Sequence, residues 1–187
     1  MLKDIFQRIF LLITQPAKTW ALLAEENEEV DKLFSKYLYP IFGLIALTAF
    51  LGALISNQSM EIALVITIRE FVSFFAGFYL ASFALNELTS RMFKRHSLKH
   101  CQHFTAYSSS LIYTIAIADS LFGGLGLLYF FLPYTVYMIW EGAAPFMQVS
   151  EDKIIKFTII ASFVMLVPYM LAAIINRFML TTPTHAG

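Results

Sequence analysis

Three histidines, His96, His100 and His103, stand at i, i+4 and i+7. On a helix that spacing puts them on one face. Imidazole is a good ligand for zinc-like metals, and Cys101 is near in sequence although off that face. The cluster lacks a carboxylate base at a recognisable spacing, and it shares its segment with Arg91, Lys94, Arg95 and Lys99. Contact with anionic headgroups, or a pH-responsive surface, therefore ranks above metal binding. A second set comprises Glu70, Glu87, Asp119 and Glu141, which stand within or at the ends of apolar runs. Ionisable residues in such places line transport paths where they converge; otherwise they solvate helix ends or pair between helices. Arg69 adjoins Glu70, but adjacent helical residues point about 100° apart, so spacing forces no pair between them. Catalytic signatures are absent: there is no Gly-rich phosphate loop, no HExxH and no nucleophile elbow. No acid, base and nucleophile converge on one face, so the chain is expected to be non-enzymatic and to need no cofactor.

The elements that carry these residues are set by solvent. The 187 residues are 58% hydrophobic, 16% aromatic and 14% charged, with zero formal net charge; mean hydropathy is +0.68. Soluble domains carry roughly 25% charged residues. The balanced charge gives no field for nucleic acid, and one cysteine rules out an intrachain disulfide framework. Lys3 and Arg8 precede a short apolar run, as in a signal peptide, but Gln15, Pro16 and Lys18 end it too soon, so Met1 is expected to be retained.

Residues 2–13 read as an amphipathic helix, with Leu2, Ile5, Phe6, Ile9, Phe10, Leu12 and Ile13 on one face. Twelve residues rise about 18 Å, too little for a hydrocarbon core of about 30 Å. The helix is expected to lie on the cytoplasmic leaflet, with packing against the bundle as the alternative, and with Trp20 as a headgroup-level anchor. A charged, solvated stretch at 25–31 follows. Five apolar runs come next, near 38–55, 62–85, 104–118, 121–140 and 157–175. The third and fourth form a tight hairpin around Asp119, Ser120, Gly123, Gly124 and Gly126, and Pro168 kinks the fifth. The predicted fold is an all-α membrane bundle of five transmembrane helices. Its parts are a cytoplasmic segment at 1–36, a membrane domain at 37–176 and an external tail at 177–187. Eleven of the 13 Lys and Arg fall in alternate gaps, which places the N-terminus in the cytoplasm and the C-terminus outside. An alternative starts the second span near Phe71 and lays 60–70 along the outer interface.

Small residues recur every four positions as Ser73, Gly77, Ala81 and as Thr48, Gly52, Ser56. In lipid such stripes let helix backbones approach closely. Packing within the chain is the favoured use; self-association is the alternative. Tyr107 with Ser108, Ser109 and Ser110 adds a polar stripe to the third run.

Three stretches carry a family likeness: QPAKTWALLAEE with KYLYPIFGLIALTAFLGALI; NELTSRMFKRHSLKHCQHFTAYSSSLIYTIAIA; and LPYTVYMIWEGAAPFMQVSEDKIIKF. In this order they resemble the Yip family (Ypt/Rab-interacting proteins), in its bacterial branch. The usual Leu-Pro after the glycine reads here as Gly142-Ala143-Ala144-Pro145. The resemblance implies five spans, a cytoplasmic N-terminus and, for this branch, the bacterial inner membrane. Eukaryotic relatives are associated with Rab-type GTPases and vesicle traffic through a long cytoplasmic region, which is reduced here to residues 1–36. No catalytic residues come with the family.

The expected function is a multi-pass membrane protein that binds or organises lipids or partner proteins and self-associates. Its partners would be membrane lipids, a second copy or another membrane protein. The expected surface joins Trp20, Arg91, Lys94, Arg95, Lys99, Tyr134, Tyr137, Glu141, Gly142 and Pro145. The alternative is a small channel or transporter lined by Glu70, Glu87, Asp119 and Glu141.

Overall fold

The computed structural model describes residues 2–26, 29–93, 97–122 and 130–181, and every described element is helical. Helix α1 (Leu2–Thr14) turns at Gln15 into α2 (Pro16–Glu26). Proline suits that first position because its missing N–H would have no helical acceptor. The Thr19 hydroxyl donates to Leu11 O at 3.1 Å and to Gln15 O at 2.8 Å, fastening the turn. Helix α1 has three faces. Ile5, Ile9 and Leu12 are buried against the other helices, Phe6 and Phe10 remain exposed, and Lys3, Asp4 and Gln7 occupy the polar side. The sequence reading put every apolar residue but Leu11 on one side and favoured lipid over the bundle as its contact; the structure divides that side, with Ile5, Ile9 and Leu12 docked on the protein.

A short α3 (Val30–Leu33) passes through a π-helical turn, Phe34–Leu38, into α4 (Tyr39–Ile55). Ser56 and Asn57 close α4, with Asn57 in the left-handed region (φ 58°) that asparagine tolerates. Helix α5 (Met60–Phe93) has 34 residues and rises about 51 Å, well beyond the hydrocarbon thickness. It is continuous through Phe71, so the chain does not break at the alternative start of the second span. Helices α6 (Leu98–Ser108) and α7 (Ser110–Phe122) meet at Ser109, which interrupts what the sequence reads as one span. Asp119 and Ser120 lie inside α7 rather than in a turn; Gly123, Gly124 and Gly126 fall outside the described residues. Helix α8 (Leu132–Ala143) therefore begins later than the fourth run was expected to. Helix α9 (Ile154–Thr181) runs through Pro168 without interruption and enters the expected tail.

Contacts fix the helix directions. Phe34 meets Phe78 and Tyr79 while Phe42 meets Phe71 and Phe75, so α4 and α5 are antiparallel. The Tyr37 hydroxyl lies 2.6 Å from Ser110 Oγ at one end, and Gly52 abuts the Ser120 carbonyl at the other, so α7 runs parallel to α4. Phe157 packs on Phe104 and Tyr169 on Tyr113, so α9 runs the same way. The small-residue positions serve these contacts: a Cβ at Gly52 would strike the Ser120 carbonyl, and one at Gly77 would stand 3.0 Å from the Tyr169 ring.

Among the described residues three helices are long and apolar enough to cross a membrane: Val30–Ile55, Met60–Arg91 and Glu151–Leu171. Their outer faces expose Leu47, Ile55, Val65, Ile68, Leu80, Phe83, Ile159 and Phe163. An apolar surface this extensive is suited to lipid and not to water. Helices α7 and α8, at 13 and 12 residues, rise only about 20 and 18 Å each.

Candidate functional site

The site is built around Trp20. Its ring is fully buried, with centroids 5.0 Å from Phe104 and 5.2 Å from Phe146, and Tyr107 edge-on at 6.4 Å. Its indole N–H donates to Met138 O at 2.9 Å, satisfying the one polar group it brings inside. Gly142 makes room: a Cβ there would stand 2.6 Å from the Trp20 ring and 2.8 Å from the Phe104 ring. The expected headgroup anchor is thus corrected. Trp20 and Gly142 are both interior, and they lock α2 onto α8 instead of forming a partner surface.

Beyond α8 the chain folds back sharply. Phe146 N and Met147 N both donate to Gly142 O, Val149 N donates to Ala143 O, and Gln148 takes a positive φ of 51°. This return carries Phe146 under the imidazole of His100. The two rings stack at 4.5 Å, and His100 Nε2 lies 2.7 Å from Phe146 O. Because a carbonyl only accepts, Nε2 carries the proton in that bond. One helical turn on, His103 is buried and its Nδ1 donates to Lys99 O at 2.9 Å.

These residues wall a cavity of about 200 Å³, lined by Leu23, Ala24 and Glu26 from α2, Ser97, Lys99, His100, His103 and Tyr107 from the α6 side, and Phe146. Ser97 caps α6, its hydroxyl accepting from His100 N at 3.4 Å. Arg8 reaches the edge of this group from α1. It donates to Tyr107 Oη at 2.7 Å, pairs with Glu26 at 3.0 Å and lies over the Tyr107 ring. Arg8, Glu26 and Phe146 were not singled out from sequence as site residues, and Tyr107 was read only as part of a polar stripe. The signal for Arg8 was its place three residues after Ile5 and four before Leu12, which puts it at the edge of the docking face.

The other expected residues disperse. Tyr134 donates to Ile13 O at 2.7 Å, holding the end of α1. Tyr137 is exposed and sits against Glu141, and Pro145 is exposed in the return loop. Arg91 pairs with Glu87 at 2.7 Å on an exposed stretch of α5. Lys94, Arg95 and His96 fall outside the described residues. So His100 and His103 share the cavity wall, and among the described residues no group of three or more His, Cys, Asp and Glu is arranged to hold a metal. Glu70 lies 3.9 Å from Arg69, so those adjacent residues do pair, both partly buried. Asp119 is half-buried near the end of α7. Of the four expected transport-lining acids, Glu87 is thus held in an exposed ion pair, and Glu141 stands at the end of α8.

Comparison with curated proteins and with solved structures returns no match. The profile of the Yip1 domain matches residues 10–174, a range that holds all but the first turns of α1 and the end of α9. With its long apolar helices and a domain match over most of its length, the chain is an integral multi-pass membrane protein and belongs to the Yip1 domain family.

Proposed function

We propose that this protein is a non-enzymatic organiser of lipid in the cytoplasmic leaflet, acting through its N-terminal helical hairpin. The observation that carries the reading is the seating of α1: Ile5, Ile9 and Leu12 are buried in the protein while Phe6 and Phe10 stay exposed beside them. Arg8 and Glu26 pair where the two arms of the hairpin come together. The turn at Gln15 lies six or seven residues beyond Arg8, about 10 Å further along. The hairpin is thus a shallow wedge, with its charged end at the headgroups and its apolar edge among the acyl chains.

The arrangement is also consistent with five crossings in the bacterial inner membrane, the N-terminus cytoplasmic and the end of α9 outside. Helices α4, α7 and α9 share one direction, and the end of α8 lies beside the middle of α6, at Phe104, where the first turn of α9 also packs. Among the described residues, Lys36 just before α4, Arg91 at the end of α5 and Lys99 at the start of α6 stand at these helix ends, which supports a positive cytoplasmic side there. Small-residue contacts at Gly52 and Gly77 are used inside the chain, so self-association would use other faces.

Extraction in mild detergent followed by native mass spectrometry tests the proposal. Phospholipid, with or without a partner protein, is expected to stay bound. A folded protein that emerges free of every lipid would overturn it.

A further inference from the structure

We propose that the cavity between α2 and the start of α6 binds a phosphate group, as borne by an anionic phospholipid headgroup or a free phosphate ester. The inference rests on reading this face as the cytoplasmic, lipid-organising one. At about 200 Å³ the cavity is smaller than the roughly 300–1,000 Å³ that drug-sized ligands occupy, which suits a headgroup fragment. Its wall combines a cation, two imidazoles and a helix N-terminus. Lys99 is exposed at the rim; His100 and His103 line the interior, each using one ring nitrogen as a donor to a backbone carbonyl. The 11-residue helix α6 begins in the same wall; Ser97 takes the His100 N–H, and the positive end of the helix dipole favours an anion there.

One carboxylate opposes this. Glu26 lines the same cavity, but Arg8 pairs with it at 3.0 Å while also donating to Tyr107 Oη. With Arg8 and Glu26 offsetting one another, Lys99 and the start of α6 set the sign of the site. Tyr107 and Ser97 add hydroxyls in the wall. The stacking of His100 on Phe146 ties the cavity to the Trp20 cluster, so the pocket is braced by the buried aromatic group behind it.

The test uses the full chain in detergent, incubated with mixed micelles of phosphatidylglycerol and phosphatidylcholine, with retained lipid counted by native mass spectrometry. The wild type should prefer phosphatidylglycerol. Lys99→Gln should lower that preference about fivefold, the scale of one exposed charge pair, and Glu26→Gln should raise it. A merely structural role for the two residues would not move retention in opposite directions. Intact folding is checked through the thermal midpoint and the Trp20 fluorescence. A parallel titration adds inorganic phosphate in large excess at matched ionic strength. Displacement of the lipid shows that the site takes phosphate free of a lipid, and retention identifies the headgroup; either supports the site. Unchanged preference in both folded variants overturns it. Phosphatidylcholine retained without any preference leaves the lipid-organising role standing and removes only this site, whereas loss of all lipid removes both.

Discussion

At the scale of single residues, the contact between Trp20 and Gly142 decides how α2 meets α8. Gly142→Ala places a methyl group within 2.6 Å of a fully buried indole, an overpacking that costs about 1–3 kcal/mol. The thermal midpoint in detergent should fall by several degrees, and in a Trp140→Phe background the emission of the fully buried Trp20 should shift to the red as its ring is displaced. Trp20→Phe keeps most of the packing but leaves Met138 O without its donor, a smaller loss of about 1 kcal/mol. Cys101 offers a second check. It is fully buried beside Thr89, and burial pushes its thiol pKa up, so less thiolate is present at any given pH. Alkylation of the folded protein at mildly alkaline pH should be far slower than after denaturation; equal rates would contradict its placement. Sequence reasoning found Trp20 and Gly142 but not their relation. A tryptophan near a span end commonly sits among headgroups, and only the three-dimensional return of Phe146 shows that this one has an interior to enter.

Among elements, the long runs were legible because apolar length is a direct record of solvent: α4, α5 and α9 contain their predicted spans. The short pair α7 and α8 was not. Asp119 and Ser120 look like a turn by composition, yet the Ser120 carbonyl is where α4 approaches most closely, and that approach requires helix through Phe122. Gly52→Val should therefore disrupt the α4–α7 contact far more than Gly77→Ala disrupts α5–α9, because a carbonyl in a helix cannot yield while the Tyr169 ring edge can shift slightly. Relative thermal stability of the two variants measures this. The N-terminal hairpin was half legible. Its periodicity showed a helix with an apolar side but could not show that the protein covers only part of that side and leaves Phe6 and Phe10 exposed. A bimane label at Phe10→Cys should be quenched by brominated lipid tails in reconstituted vesicles, and one at Gln7→Cys should be quenched less. Arg8→Ala removes the links to Tyr107 and Glu26, so amide exchange in residues 2–26 should quicken while that of α4 stays unchanged.

For the whole molecule, the charge pattern and the helix directions make one statement about sidedness. With Cys101 buried, added cysteines report cleanly. An impermeant maleimide applied to intact cells should label Gln58→Cys, in the exposed link between α4 and α5, and should reach Lys99→Cys only after permeabilisation. The reverse pattern would invert the topology and move the cavity to the other side of the membrane. The π-helical turn at Phe34–Leu38 gives this architecture an unusual phase relation. A π turn is an α-helix with one residue too many, so removing a single residue there would restore regular winding and swing everything upstream by about 100° about the α4 axis. Phe34 and Tyr37 would lose their partners on α5 and α7 together. The spacing of this insertion thus works like the key on a shaft, fixing the angle at which Phe34 and Tyr37 meet α5 and α7, and a length change of one residue should be tolerated here less well than many substitutions.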